Sequence, residues 1–124
     1  MTPRISIVIP VRNDAAALER TLDHLASIEG IRDAEIAVAA SGDPDGTARA
    51  VARRARLISP GGSSRSALMN AGAVVACGDI LFFLHADSFP PPNGLALIEQ
   101  ALADPRAVGG AFEHLFAEPS VRLR

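Results

Sequence analysis

Apolar and polar positions divide the chain into short strands alternating with amphipathic helices. Residues 5–11 (ISIVIPV) are apolar almost without a break and rich in β-branched side chains, the pattern of a buried first strand. Pro10 removes one ladder donor and so belongs at that strand's exit. Arg12, Asn13 and Asp14 make the turn that follows, with Asn13 or Asp14 as N-cap of a helix over about 15–28. Leu18, Leu22, Leu25 and Ile28 recur on one face of that helix, His24 lies beside the stripe as a surface residue, and Gly30 closes it. A second strand is expected over 35–40. Turn formers crowd 41–47, and an arginine-rich helix follows over about 47–55, with Arg49, Arg53, Arg54 and Arg56 reading as a solvated face. Leu57 and Ile58 form a brief third strand, and a helix dominated by small residues runs over about 64–76.

The stretch 80–84 is an unbroken apolar run with two phenylalanines, the pattern of a central strand covered on both faces. It stops at His85-Ala86-Asp87, and the triple proline at 90–92 prevents any continuation. A helix over 95–102 and a last strand over 107–112 complete the pattern. Residues 1–112 thus read as one domain, and 113–124 as an edge strand or loose tail. The β-α alternation predicts an α/β fold: a Rossmann-like, mostly parallel sheet with helices on both faces.

Composition narrows the chemistry. At 124 residues there is room for one core. The net charge of −2 gives no basic footprint for nucleic acid. All twelve cationic residues are arginine, which excludes Schiff-base and Walker-type lysine chemistry. A faint echo of the nucleotidyltransferase glycine loop at 61–65 fails on the same ground, since that loop works with a nearby lysine. The single Cys77 excludes an intrachain disulfide and fits a reducing, cytoplasmic setting; at a helix end it reads as a small, buried or half-buried hydrophobe. No apolar run reaches the ~18 residues of a transmembrane span, and the start of the chain lacks the apolar region of a signal peptide.

In an open α/β sheet, ligands bind beyond the carboxyl ends of the strands. Three loops leave those ends here: Arg12 to Asp14, Ser41 and Gly42 onward to Thr47, and His85 to Asp87. The Gly62–Arg65 turn joins them. Glycine and serine at a helix N-terminus offer free N–H groups to an anion, and Arg65 adds a fork that matches phosphate oxygens. His85 and Asp87, two residues apart, suit a divalent metal sharing phosphate ligands; alternatively Asp87 caps the turn before the prolines. Asn70 is a solvent-facing polar residue or a ligand contact. Jointly these loops point to a diphosphate-bearing ligand with a bridging metal.

The segments ISIVIPVRND, DPDGT, SSRSALMNAGA and GDILFFLHADS, in that order, resemble the nucleotide-binding half of family 2 glycosyltransferases of the GT-A fold. The HAD triplet resembles a bacterial subgroup of the arsenosugar-biosynthesis type. The resemblance spans about 4–112. It implies that Pro10, Val11, Arg12, Asn13 and Asp14 border the nucleobase and ribose, joined by Ser41, Gly42 and Asp45 of the second loop. It further implies that Arg65, Asn70 and Gly72 approach phosphates and ribose, and that His85, Ala86 and Asp87 form the metal-and-diphosphate triplet, Asp87 with His85 holding Mg²⁺ or Mn²⁺. The family's aspartate after the second strand is replaced by Ala40 and Ser41. The implied activity is inverting, metal-dependent transfer from a nucleoside-diphosphate sugar, with the donor half visible and the catalytic base unassigned; Glu113 and His114 are the titratable residues beyond the last strand. A truncated or degenerate glycosyltransferase is one expectation and a non-catalytic nucleotide-binding or interaction module the other. An apolar sheet edge left open would favour a homo-oligomer.

Overall fold

β1, Ile5–Arg12, has a strand paired on each side of it in the main sheet. The computed structural model describes residues 4–42, 44–62, 64–112 and 121–123, and the side chains of all these except residues 44, 45 and 121–123. β2 (Glu35–Ser41) runs parallel to β1 from Ser6↔Glu35 to Arg12↔Ser41, and β4 (Ile80–Phe83) parallel on the other side from Ile5↔Ile80 to Val8↔Phe83. β3 (Arg56–Ile58) pairs with β2, giving the order β3-β2-β1-β4 with all four strands parallel. Their carboxyl ends therefore share one edge.

Alternation along β1 decides what each face carries. Ile5, Ile7, Ile9 and Val11 point to a core shared with Leu18, Leu22 and Leu25 of α1 (Ala15–Leu25), Ala50 and Val51 of α2 (Pro44–Val51), and Leu95 and Ile98 of α4 (Gly94–Leu102). Val8 points the other way, onto α3 (Arg65–Val75). The small residues expected in that helix serve close packing: a Cβ on Gly72 would stand 2.4 Å from Val8 Cγ1. The fold is α/β with helices on both faces of a parallel sheet.

The amino-terminal edge of the sheet is tied by one buried hydroxyl. Ser6, fully buried in β1, donates to Glu35 Oε1 (2.7 Å) and accepts from the Gly78 amide (2.8 Å), while the Cys77 amide donates to the same Glu35 oxygen (2.9 Å). Partial burial pushes the Glu35 carboxyl up, but the hydrogen bonds from Cys77 and Ser6 and the Arg56 charge outweigh it, and the net shift is downward.

Several elements differ from the sequence expectation. Helix α2 begins at Pro44 rather than near 47, because proline at the first helical position has no amide to leave unpaired. It stops at Val51, where Ala52 and Arg53 take positive φ (44° and 69°). α1 ends at Leu25, although Ile28 beyond it remains buried. The expected central strand is β4, the outermost strand of the described sheet: Leu81 and Phe83 are 40% and 41% exposed. The last strand shrinks to β5 (Gly110–Phe112) and leaves the parallel sheet, pairing antiparallel with β6 (Val121–Leu123). Glu113 and His114 lie outside the described residues. Cys77 is exposed rather than buried, since it follows the last turn of α3 instead of facing the sheet.

Candidate functional site

A cavity of about 370 Å³ opens at the carboxyl edge of the sheet, lined by Pro10, Val11, Arg12, Asp14, Arg65, His85, Ala86 and Asp87. Three segments far apart in sequence supply it: the exit of β1, the first residue of α3 and the turn after β4. Parallel pairing of β1 with β4 brings the first and last together, and α3, packed on β1, brings its N-terminus to the same end.

Each wall is held by an identifiable contact. Asp14 is the N-cap of α1, its Oδ1 accepting from the Ala17 amide (3.2 Å). Ser64 caps α3 in the same way, accepting from the Ala67 amide (3.1 Å), so Arg65 leaves the first turn of that helix at the cavity. Unpaired amides of a helix start and a guanidinium there favour an anion. The third wall continues the β4 ladder by one bond, Leu84 N to Val8 O (2.9 Å), and then turns, with the Ser88 amide donating to His85 O (3.0 Å).

Two residues of α1 fasten this turn, and the sequence reading assigned neither of them that task. Thr21, fully buried, donates its hydroxyl to the Ala86 carbonyl. His24, one turn on, donates from Nε2 to the Pro90 carbonyl (2.6 Å) and meets Phe89 edge-on at 5.3 Å. His24 is thus half-buried rather than a surface residue. The signal was available: a threonine among Leu18, Leu22 and Leu25, with a histidine three positions later, is a polar stripe inside an apolar one.

The remaining sequence candidates lie apart from the cavity lining. Asn13 adopts φ 54° and its amide donates to Ser41 O (2.9 Å). Gly42 (φ +93°) packs so closely that a Cβ there would lie 2.6 Å from Asn13 Cβ, so the exits of β1 and β2 are locked together beside the site. Asp45 is in the first turn of α2 with its side chain outside the described set. Asn70 is exposed on α3, and Gly72 is buried against Val8. Of the arginines read as a solvated face, Arg54 pairs with Asp23 and Ala50 O.

Asp87 and His85, which both line the cavity, bring a carboxylate and an imidazole, donor types that suit a divalent ion keeping its other positions for phosphate oxygens and water. Among the described residues no three such side chains gather into an all-protein cage. No helix among the described residues is long and apolar enough to cross a membrane.

Comparison with known proteins follows the same lines. Residues 6–122 match the family model described as Glycosyl transferase family 2. No curated protein matches the sequence. Among solved structures, the mannosyltransferase PcManGT from Pyrobaculum calidifontis, in complex with GDP-Man and Mn²⁺, is 28% identical with a TM-score of 0.71, over 89% of this chain and 35% of that one. Glucosyl-3-phosphoglycerate synthase from Mycobacterium tuberculosis, in complex with uridine diphosphate, is 22% identical with a TM-score of 0.68, over 87% and 43%. S. aureus TarS 1-349 is 17% identical with a TM-score of 0.69, over 79% and 33%. The last two show the fold alone, and the chain spans between a third and less than half of these proteins.

Proposed function

Because the chain belongs to glycosyl transferase family 2, we propose that its cavity receives the diphosphate of a nucleoside-diphosphate sugar together with a divalent metal, as the donor site of inverting glycosyl transfer. The observation that carries this reading is the convergence of Arg65, Asp87, His85 and Asp14 on one cavity at the carboxyl edge of a parallel sheet. In this reading Asp87, with His85, holds Mg²⁺ or Mn²⁺. The bound ion supplies Lewis-acid neutralisation of the leaving diphosphate. The Arg65 fork and the first amides of α3 take phosphate oxygens. The exit of β1, from Pro10 to Asp14, borders the nucleoside. The base that deprotonates an acceptor hydroxyl is left unassigned among the described residues of the lining. Membership of the HAD-triplet subgroup rests on His85-Ala86-Asp87 alone, and a cytoplasmic location belongs to the same reading.

One observation favours the alternative of a nucleotide-binding module without turnover. Ala40 is buried in β2, pairing with Val11, and Ser41 follows it. No carboxylate stands where the resemblance implies one for the nucleoside. A lost charged hydrogen bond is worth about 1.5–3 kcal/mol, so selection of the base is expected to be weak and affinity to come from the phosphates.

Thermal unfolding with a panel of nucleoside diphosphates, with and without Mn²⁺, tests the proposal. A ligand at about a hundred times its Kd stabilises by ~2.7 kcal/mol, a rise of roughly 10 °C for a domain of this size. The expected result is a metal-dependent rise that Asp87→Asn abolishes. No rise with any nucleotide would contradict the donor-site reading.

A further inference from the structure

Arg12 and Asp14 line the cavity, and the residue between them does not. Asn13 has φ 54°, in the left-handed region that is unfavourable for a residue with a Cβ and that asparagine tolerates better than most. The other non-glycine residues of positive φ among the described ones, Ala52 and Arg53, follow the end of α2 and lie outside the lining. The contacts of Asn13 run to the exit of β2. Its amide donates to Ser41 O (2.9 Å), one step beyond Arg12↔Ser41, the last paired residues of the two strands. Gly42 lies against its side chain: a Cβ on that glycine would stand 2.6 Å from Asn13 Cβ and 3.0 Å from its Cα and Cγ. Gly42 itself has φ +93°, so a side chain at 42 is opposed both by its own backbone and by Asn13.

The consequence falls on the two neighbours. Arg12 stays paired in β1, whereas Asp14 leaves the strand and caps α1 through the Ala17 amide (3.2 Å). The bend that allows both is the left-handed residue between them. A different backbone state at residue 13 would swing Asp14 and the start of α1 away from Arg12. We propose that Asn13 is a positioning residue of the donor site: its left-handed backbone, held against Gly42, sets Arg12 and Asp14 on one cavity, and its side chain is no ligand contact. The inference rests on the donor-site reading and deepens it. The resemblance implies a place for Asn13 against the nucleoside, and the geometry gives it a backbone task instead.

Asn13→Gly and Asn13→Ala separate the two roles. Both remove the carboxamide, but glycine adopts positive φ freely and alanine does not. In titrations with Mn²⁺ and a nucleoside diphosphate, Asn13→Gly keeps wild-type affinity. Asn13→Ala binds more weakly, by up to about thirtyfold, the factor that corresponds to escape from the left-handed state. Gly42→Ala also weakens binding, and does so less in an Asn13→Gly background, where the close contacts with Cβ and Cγ are gone. Amide hydrogen exchange reads the cause without nucleotide: residue 13 is protected in the wild type and in Asn13→Gly, and exchanges faster in Asn13→Ala and Gly42→Ala. Equal losses of affinity in the glycine and alanine variants would make the side chain a ligand contact and overturn the proposal. So would wild-type affinity in Asn13→Ala, or exchange at residue 13 that none of the variants alters. A wild type that binds no nucleotide is a different result: it overturns the donor-site reading, and the positioning role with it.

Discussion

Thr21 links the stability of α1 to the position of Asp87, and replacing it separates the two. Its hydroxyl, fully buried, donates to the Ala86 carbonyl between His85 and Asp87. Thr21→Val keeps the side-chain shape and removes the donor, so the carbonyl faces a methyl group. A neutral hydrogen bond contributes about 0.5–1.5 kcal/mol net, and a buried acceptor left unmade costs about 1–3 kcal/mol. Ala86 is half-buried, so water relieves part of that cost and the expected loss is about 1–2 kcal/mol. At this chain length that lowers Tm by roughly 3–8 °C. Thr21→Ser makes the opposite change, keeping the hydroxyl and deleting a buried methyl worth ~0.8 kcal/mol. Both variants are expected to melt earlier. Calorimetric titration with Mn²⁺ and a nucleoside diphosphate should separate them: the valine variant binds several-fold more weakly, because the turn carrying His85 and Asp87 is no longer pinned, while the serine variant keeps wild-type affinity. Equal affinities for wild type and Thr21→Val would refute the claim that this bond positions the site.

Two further outcomes follow from the packing and the charges. Gly72→Ala adds a methyl 2.4 Å from Val8 Cγ1; overpacking costs about 1–3 kcal/mol against a helix-propensity gain of ~1 kcal/mol. It should lower the urea midpoint in the wild type and raise it in a Val8→Ala background, whereas a loss in both backgrounds would exclude this contact as the cause. Glu35 has a folded pKa held below its ordinary 4.5. Its contribution is therefore complete above that value and is lost as pH falls through the folded pKa. Wild-type stability should decline on acidification below about pH 5 more steeply than that of Glu35→Gln, and parallel pH profiles would count against the Ser6–Glu35–Cys77 network as the source.

Much of the fold was legible because apolar period and capping agree locally. The first strand, an N-cap at Asn13 or Asp14 that proves to be Asp14, and the small-residue helix all follow from nearest-neighbour chemistry. The β4 run ILFF misled for a physical reason. A continuous apolar strand signals cover on both faces, but it does not say whether the cover comes from the same described unit, and Leu81 and Phe83 remain partly open. The 107–112 stretch shows why alternation of strand and helix is not topology. Gly109 and Gly110 interrupt its apolar pattern, and although Phe112 packs on Phe82 (5.7 Å between ring centres), the three-residue strand pairs antiparallel with β6. At the site, residues adjacent to strand exits could be read, whereas Thr21 and His24 act across more than sixty residues. Only the fold brings such partners together. Gly72 carries a similar lesson: the resemblance implies a place near the nucleotide, and the packing against Val8 gives the glycine a purpose of its own.

The central claim is that Arg65 and Asp87, from α3 and from the turn after β4, act on one metal-bound diphosphate. A double-mutant cycle tests it most directly. Mn²⁺ and the best nucleoside diphosphate of the panel would be titrated into the wild type, Arg65→Ala, Asp87→Asn and the double variant. Each single change should weaken binding about tenfold to a hundredfold, from the 1.5–3 kcal/mol of a charged hydrogen bond, and the double should lose less than the sum, because both groups serve the same ligand. Full additivity, or a wild type that binds no nucleotide with Mn²⁺, would contradict the account.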